Sequence, residues 1–350
     1  MNIKVDAIDL FCGVGGLTYG LQKSGIDVKL GIDIEAACKY PFEANNNAKF
    51  LLKSVEKITT GELQHHFTQD SYQLLAGCQT FSNYNAKARL TDDRWWLLLQ
   101  FSRLVEESLP DLVTMENVPG LIKQGVFAEF VKQLKQNGYN ISYKIVNSAD
   151  YGLPQSRKRL VLLASRLGVI SLLTPAELDI KLQTVKDAIS MLPPIQDGEI
   201  YPADPLHQSA ALSPLNKLRI KKSKPGGTWK DWPQKLVAEC HKKNSGKSYV
   251  GVYARMEWNK PSPTMTTQFF GFGNGRFGHP EQDRAISLRE GAIFQGFPID
   301  YKFLPEGERI FKGSIGKMIG NAVPVKLGEV IGKSIMAHIK DIQSLKSSTS

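Results

Sequence analysis

Short apolar runs alternate with helical patterns along residues 1–165. The run IKVDAIDL at 3–10 has the length of a buried strand, and a glycine-rich turn and an amphipathic stretch follow it. The predicted strands are 3–10, 28–34, 72–76, 112–115, 143–147 and 160–164, and the predicted helices are 17–23, 36–45, 95–108 and 126–137. Because strands that alternate with helices usually pair in parallel, this order predicts an α/β fold: a mostly parallel sheet with helices on both faces.

The pattern changes after residue 188, where prolines and glycines become frequent. Strand-like pieces are predicted at 249–255 and 264–272, and a turn followed by a helix is predicted over 315–339. The domains predicted from this change are a first domain over 1–187, a smaller irregular domain over 188–286, a segment over 287–340 that returns to complete the first domain, and a frayed tail over 341–350.

Composition indicates a folded protein that works in the cytoplasm. The chain has 350 residues, of which 42% are hydrophobic and 22% charged, so it is not a disordered chain. No stretch approaches the roughly 18 apolar residues that a membrane span needs, and the N-terminus lacks the apolar run of a signal peptide. The four cysteines, at 12, 38, 78 and 240, have no paired spacing, which disfavours a disulfide framework and a zinc site.

The net charge of +10 is concentrated in one stretch. Residues 205–283 contain 13 Lys and Arg against 5 Asp and Glu, so they carry +8 of the total. A basic balance confined to one segment favours a face that binds a polyanion, nucleic acid above all. A solvated basic surface is the alternative reading.

A glycine turn near the N-terminus is a candidate ligand site. The segment DLFCGVGG at 9–16 follows a strand and opens a helix, where glycines let a ligand approach the backbone closely. Asp33 ends the second strand, where a Rossmann-type fold places an acid that binds ribose hydroxyls. Thr18 stands where the dinucleotide motif needs a third glycine, so a nucleoside ligand without pyrophosphate is favoured and a nicotinamide dehydrogenase is disfavoured. A purely structural turn is the alternative.

Three further polar groups follow predicted strands or lead into one. Cys78 and Glu116 stand at carboxyl ends of strands, where open α/β sheets bind ligands. A thiolate there can act as a nucleophile, and a carboxyl as an acid or hydrogen-bond partner. Alternation places Arg157 and Arg159 on one side of the chain, which suits an anion. The alternatives are a buried cysteine that packs as a small hydrophobe, a structurally paired carboxylate and a solvated basic edge.

Together these blocks resemble the DNA (cytosine-5) methyltransferase family of bacterial restriction-modification systems. The shared blocks are DLFCGVGG at 9–16, Asp33, CQTFS at 78–82, ENVPG at 116–120, QSRKR at 155–159, LREGAIFQGFP at 288–298 and GNAVPV at 320–325. The resemblance implies a methyltransferase fold, the cofactor S-adenosyl-L-methionine, and methyl transfer to C5 of a cytosine flipped out of double-stranded DNA through a covalent Cys78 adduct. It also implies a monomer, and a restriction endonuclease that shares the DNA site.

The resemblance also assigns residues to roles. Cys78 would attack the base, Glu116 would bind its N3/N4 edge, and Arg159 with Arg157 would support the site electrostatically. The implied donor-binding residues are Asp9, Phe11, Gly13, Gly15, Asp33, Ile34, Val55, Asn321 and Val323, with Ser54 or Glu56 at the place of the family's adenine-contacting acid. The expected DNA contacts are Arg219, Lys221, Lys222, Gln268 and Arg276, a strand-turn-strand scaffold being the alternative for 264–278.

The sequence departs from the family at the catalytic loop. The family reads Pro-Cys-Gln after a lead-in such as Gly-Cys-Ala or Gly-Gly-Pro, whereas here Gly77 directly precedes Cys78. A loss of about three residues removes up to roughly 10 Å of chain. We therefore predict that turnover is impaired while donor and DNA binding are retained. The alternative is a catalytically inactive DNA-binding homologue; a tRNA-modifying enzyme is disfavoured because that group's extra Cys-Phe-Thr signature is absent.

Overall fold

The computed structural model describes the main chain of residues 3–78 and 94–348, and the side chains of residues 3–77 and 96–347. Its strands are β1 (Val5–Leu10), β2 (Asp27–Asp33), β3 (Lys49–Leu52), β4 (Tyr72–Cys78), β5 (Leu112–Asn117), β6 (Asn140–Asn147) and β7 (Lys158–Ser165). Its α-helices are α1 (Gly16–Lys23), α2 (Lys39–Asn45), α3 (Thr60–Gln64), α4 (Arg94–Ser108), α5 (Gly125–Gln136), α6 (Val185–Ile189), α7 (Pro214–Lys222), α8 (Glu239–Lys242), α9 (Leu288–Phe294), α10 (Lys312–Asn321) and α11 (Val325–Ser348).

The chain forms two compact units. The first contains Met1–Tyr151, Lys158–Ile180 and Ala322–Ser350, and the second contains Gly152–Arg157 and Lys181–Asn321. This division differs from the predicted boundaries, because the segment 287–321 clusters with the second unit. The return to the first unit therefore begins at Ala322.

The first unit is built on a mostly parallel seven-stranded sheet, as predicted. The strand order is β3-β2-β1-β4-β5-β7-β6. The pairs from β3 to β5 are parallel, and β7 is antiparallel to both of its neighbours. Side chains alternate across the interior strand β1: Ile8 and Leu10 belong to one hydrophobic cluster and Val5 and Ala7 to the other. All six residues of β1, including Asp6 and Asp9, are buried because both faces of the sheet are covered.

Helices cover both faces of this sheet. One cluster contains apolar side chains of α3, α4 and α5, such as Leu63, Phe101 and Phe130. The other contains side chains of α1 and α11, such as Leu21 and Ile331. The predicted strands and helices of residues 3–165 are all present with shifted ends, but neither the short helix α3 nor strand β3 was predicted. Its short run KFLL is only half-buried at the edge of the sheet and lacks a strong period.

The second unit is irregular, and its described residues form short helices and turns. Its hydrophobic cluster contains Ile220, Trp229, Trp232, Leu236, Phe272 and Ala285. The prediction of strands at 249–255 and 264–272 was wrong, since that region holds only isolated bridges, such as those of Arg255 with Pro225 and Gly278. Aromatic side chains there pack into a cluster rather than along a pleat, because Trp232 and Phe272 both contact Tyr253.

The predicted tail over 341–350 is helical as far as the structure describes it, and residues 349–350 lie outside the described residues. Helix α11 continues through the described residues to Ser348, and Ile342 is half-buried beside Gly168. Tertiary contact therefore extends the helix beyond the point where its sequence becomes polar. Within the described part of the chain, no helix is both long and apolar enough to cross a bilayer, and no group of three or more His, Cys, Asp or Glu is placed to hold a metal ion.

Candidate active site

The predicted site residues of the first unit gather at one edge of the sheet. Strands β1 to β5 run parallel, so their carboxyl ends meet at the same edge. Asp33 is the last residue of β2, Cys78 is the last residue of β4, and Glu116 lies one residue before the end of β5. The glycine turn follows β1, the central strand of this group.

A carboxylate ties the glycine turn to the end of β2. The main-chain N–H of Gly13 donates to Asp33 Oδ2 at 2.8 Å, and the N–H of Glu35 donates to Oδ1 at 2.9 Å. Gly13 has φ +53°, and a Cβ placed on it would meet no described atom within 4 Å. Among the described residues, no atom fills the space beside the turn, so this space is available to a ligand. Gly15 has the opposite constraint, since a Cβ there would lie 2.4 Å from Nδ2 of Asn46.

Asp9 lies fully buried beneath this turn. Its Oδ2 accepts a hydrogen bond of 2.7 Å from the Thr18 hydroxyl, and its Oδ1 has no hydrogen-bond partner among the described residues. Burial raises the pKa of Asp9 to about 7; the Thr18 hydrogen bond opposes this shift and the charge of Asp33 adds to it. An orphaned buried oxygen beside an open turn indicates a place for a donor group from a ligand.

Apolar side chains stand exposed at the same edge. Ile34, directly after β2, is 70% exposed, and Leu52, at the end of β3, is 52% exposed, while Phe11 is half-buried with φ +61°. Exposed apolar groups beside a polar turn suit a flat, apolar ring. Val55, by contrast, is buried.

Two members of this site were missed by sequence reasoning. Leu52 was missed with its strand; the short apolar run KFLL after an amphipathic helix was the available signal. Thr18 donates a hydrogen bond to Asp9, whereas the sequence indicated only that Thr18 replaces the third glycine of the dinucleotide motif. Ser54 is half-buried and Glu56 is exposed, so both alternatives for the adenine contact stay open.

Glu116 and Arg159 form an ion pair across strands β5 and β7. Arg159 Nε lies 2.8 Å from Glu116 Oε1. The main chain of Cys78 is the register partner of Glu116 in the β4–β5 ladder, so these two positions are neighbours at the strand ends. The side chain of Cys78 and the rest of the block CQTFS lie outside the described residues.

Arg157 has a different environment from the one predicted. Its buried guanidinium donates from Nη1 to the carbonyl of Met265 at 2.8 Å and from Nη2 to the carbonyl of Gly320 at 3.0 Å. Nearby, the Gln155 amide binds the Phe294 carbonyl at 2.9 Å. These bonds connect the QSRKR block to the interior of the second unit. Both η nitrogens of Arg157 are thus used within the second unit, and its predicted electrostatic role at the site stays a prediction.

The two predicted donor-binding residues of the C-terminal block belong to different units. Asn321 is the last residue of α10 in the second unit. Val323 lies in the first unit and is buried in the cluster formed by α1 and α11. Their assignment to the donor site stays a prediction.

The predicted DNA contacts divide into exposed and buried side chains. Lys221, Lys222 and Gln268 are exposed. Arg219 is buried: its Nε donates to the Leu236 carbonyl at 2.9 Å, and its guanidinium lies over the Trp232 and Tyr253 rings at 5.7 and 5.1 Å. The guanidinium of Arg219 is thus engaged within the second unit, and its predicted phosphate contact stays a prediction.

Arg276 is intermediate between these cases. It is half-buried and donates from Nη1 to the Gly227 carbonyl at 2.8 Å and the Arg255 carbonyl at 3.1 Å. Part of its hydrogen-bonding capacity is thus already used within the second unit, although its role at DNA stays a prediction.

Comparison with known proteins identifies the family. The sequence matches the family model of C-5 cytosine-specific DNA methylases over residues 5–337. The chain belongs to this family. It is therefore a DNA (cytosine-5)-methyltransferase by descent, which confirms the predicted resemblance.

Individual relatives agree with this assignment. The chain is similar to the Type II methylase M.HgiDII of Herpetosiphon aurantiacus, with 49% identity over 96% of both chains. It is 33% identical to the Type II methyltransferase M1.BsuMI of Bacillus subtilis (strain 168), over 94% of this chain and 79% of that protein. A DNA modification methyltransferase from an Escherichia coli prophage shares the fold, with a TM-score of 0.73, 23% identity and coverage of 96% and 100% of the two chains.

Proposed function

We propose that this methyltransferase takes its methyl group from S-adenosyl-L-methionine and delivers it to C5 of a cytosine flipped out of double-stranded DNA. The observation that carries the proposal is the meeting of two features at one sheet edge. The first is the turn held by Asp33 beside open space. The second is the pairing of Cys78 with Glu116 at the ends of β4 and β5. A base stacked in a duplex could not reach a cysteine at a sheet edge, so the target must leave the stack.

The described residues fit this donor. The carboxylate of Asp33 accepts hydrogen bonds and stands where ribose hydroxyls bind in related folds. Phe11, Ile34 and Leu52 offer apolar surface for the adenine. Asp9 Oδ1 is an acceptor that lacks a partner in the described chain. When bound, S-adenosyl-L-methionine supplies a methyl group activated by a sulfonium.

The protein's side chains make cytosine reactive. The Cys78 thiolate adds to C6 of the ring, which turns C5 into an enamine-like nucleophile. Glu116 binds the N3/N4 edge of the base and supplies a proton as negative charge builds there, and Arg159 orients and balances Glu116 through their ion pair. After methyl transfer, a base removes the proton from C5, and the electrons of that C–H bond expel the Cys78 thiolate.

The short catalytic loop limits this chemistry. Strand β4 runs through Cys78, whose main chain is in register with Glu116, and Gly77 precedes it within the same strand. A residue at the end of a strand ladder has less freedom to meet C6 than one carried on a loop. Because a displacement of about 1 Å can cost on the order of a hundredfold in rate, we propose that donor and DNA binding survive while turnover is strongly reduced. A purely DNA-binding homologue is the second candidate.

The test compares this chain with one in which Cys-Ala-Pro is inserted between Gly77 and Cys78. Tritiated methyl groups are transferred to a DNA library, and covalent trapping is measured on DNA that contains 5-fluorocytosine. We expect the insertion to raise the rate by about a hundredfold or more and to produce trapping, and Cys78→Ala in the lengthened chain to abolish both. Equal and measurable rates for the two chains would overturn the impairment proposal. Absence of transfer by both, with DNA binding intact, would favour the DNA-binding homologue.

The biological setting is proposed on the printed names of the Type II relatives. We infer that a restriction endonuclease shares the recognition sequence, and that the enzyme works in the cytoplasm as a monomer on double-stranded DNA. Light scattering of the chain with and without duplex DNA tests the stoichiometry. A protein dimer on the DNA would contradict the monomer.

A further inference from the structure

One arginine of helix α4 is bonded to the turn at 55–57, which contains Glu56 and follows Ser54, the two candidates for the adenine contact. Arg103 Nη2 donates to the main-chain carbonyl of Ile58 at 3.1 Å and to that of Val55 at 3.4 Å. Its Nε donates to Gln100 Oε1 at 2.9 Å, on its own helix. A single side chain thus connects α4, the helix that follows the catalytic block along the sequence, to the segment that begins with Ser54 and Val55.

An acidic partner extends this connection to α3. Glu107 Oε2 accepts from Arg103 Nη1 at 3.0 Å and from the Thr60 hydroxyl at 2.9 Å. On the other side of the turn, Lys53 pairs with Glu62 at 2.5 Å, and Glu62 also caps α3. The turn at 55–57 is therefore held from both of its flanks.

The exposure of Arg103 argues against a role in stability alone. Its side chain is 31% exposed and that of Glu107 is 42% exposed. Ion pairs at such positions contribute little to folding. A guanidinium, however, has several donors in a fixed plane, which lets it bind two carbonyls and a carboxylate together, as a lysine cannot. The geometry suits precise placement of a turn more than it suits stabilisation of the fold.

We propose that Arg103 is a positioning residue for the methyl donor. It fixes the carbonyls of Val55 and Ile58, and through them it holds the main chain of Ser54 and Val55 at the adenine side of the proposed donor site. This inference rests on the proposed donor site, and it adds a residue that contacts the wall of the site and not the ligand. Without Arg103 the turn would sample other positions, and donor binding would carry the cost of ordering it.

Calorimetric titration with S-adenosylhomocysteine tests this inference without requiring turnover. The variant is Arg103→Gln, and Arg166→Gln is the matched control. Arg166 is an exposed arginine whose Nη1 donates to the Leu109 carbonyl at 2.9 Å, just beyond the end of α4. We expect Arg103→Gln to weaken binding by about tenfold, the effect of losing one charged hydrogen bond, and Arg166→Gln to change it by less than about twofold. Arg103→Lys, which keeps the charge and loses the planar fork, should fall between them.

The outcomes separate the inference from the proposed function. If the unaltered chain fails to bind S-adenosylhomocysteine, the donor assignment fails. If it binds and the folded Arg103→Gln variant binds equally well, the positioning role fails. Duplex DNA binding by fluorescence anisotropy should be unchanged in both variants, which establishes that they fold. Should Arg103→Gln not fold, Arg103→Lys decides the matter: affinity equal to that of the unaltered chain overturns the role, and a loss supports it. In a lengthened, active chain the Arg103→Gln change should raise KM for the donor more than it lowers kcat.

Discussion

Arg159 and Glu116 place two opposite charges 2.8 Å apart, with side chains that are only 13% and 3% exposed. The pairing depends on the antiparallel strand β7. In the β5–β7 ladder, Glu116 lies opposite Val161 and Asn117 lies opposite Leu160. Arg159 directly precedes Leu160 in β7, which brings it close to Glu116. A charge pair at this depth has lost most of its hydration, so each charge is stabilised mainly by the other. The same dependence gives Glu116 a fixed orientation at the end of β5.

Removing Arg159 alone should destabilise the folded protein. We expect Arg159→Met to lower the free energy of unfolding by about 3 kcal/mol, because a buried carboxylate would be left without its cation. Combining it with Glu116→Gln should recover part of that loss. Urea unfolding of the single and double variants measures the coupling. Lys158→Met, at the exposed neighbouring position, is the control and should change stability by less than about 0.5 kcal/mol. Strictly additive losses would show that the pair is not coupled.

Asp9 should make stability depend on pH. Its pKa is raised by burial from 3.8 to about 7, so the folded state favours the protonated acid. The resulting stabilisation is complete below pH 3.8 and is lost as the pH rises through about 7. Relative to Asp9→Asn, the unaltered chain should therefore lose up to about 4 kcal/mol between acidic and neutral pH.

Urea unfolding of both chains between about pH 5 and about pH 8, which spans the upper part of the expected titration, measures this difference. Thr18→Val provides a second check. The Thr18 hydrogen bond lowers the pKa of Asp9, so its removal should move the midpoint of the pH dependence upward. Parallel pH profiles for the unaltered chain and Asp9→Asn would show that Asp9 is ionised throughout.

The sheet and the position of the glycine turn at its edge were predictable because their signals are local. Strand β1 is buried on both faces, and the glycine turn after it is constrained by backbone geometry. Both constraints are visible in the sequence. The environment of Arg157 was not predictable, because alternation along a strand gives the side of the chain but not the partner. Its partners, the carbonyls of Met265 and Gly320, are 108 and 163 residues away along the chain.

The local structure of the second unit was not predictable from the sequence for a related reason. Its aromatic residues carry no period, and they are ordered by contacts such as the stacking of Trp229 on His241 at 4.5 Å between ring centres. Such contacts override the β propensity of the segment around Tyr253. The basic charge of the stretch is visible in the sequence, but charge alone does not show that Arg219 is turned into this cluster.

Lysines and the arginine of α7 should therefore respond differently to substitution. Replacing Lys221 and Lys222 with alanine should weaken duplex DNA binding and reduce the salt dependence of log K by about 0.9 for each phosphate that is no longer neutralised, with the Tm unchanged. Arg219→Ala should instead destabilise the protein by about 2 kcal/mol, since it removes a buried hydrogen bond and two cation–π contacts. Anisotropy titrations over a range of salt and thermal unfolding distinguish the two effects. A lysine variant with an unaltered salt slope would exclude these residues from the DNA interface.

The close approach of α1 and α11 makes a further prediction about glycine. At Gly20 a Cβ would lie 2.4 Å from the Val325 carbonyl oxygen and 2.6 Å from the Glu329 amide nitrogen. Both are main-chain atoms, so only a movement of one helix can relieve the clash. We expect Gly20→Ala to destabilise the protein by about 3 kcal/mol.

Gly125→Ala is the matched control, because Gly125 is also helical and a Cβ there meets no described atom within 4 Å. It should stabilise the protein by about 0.5 to 1 kcal/mol, since alanine loses less backbone entropy in a helix than glycine does. Urea unfolding measures both changes. Opposite signs for the two substitutions would establish that helix contact, and not helix propensity, requires glycine at position 20; a stabilising Gly20→Ala would mean that α11 packs less closely on α1 in solution.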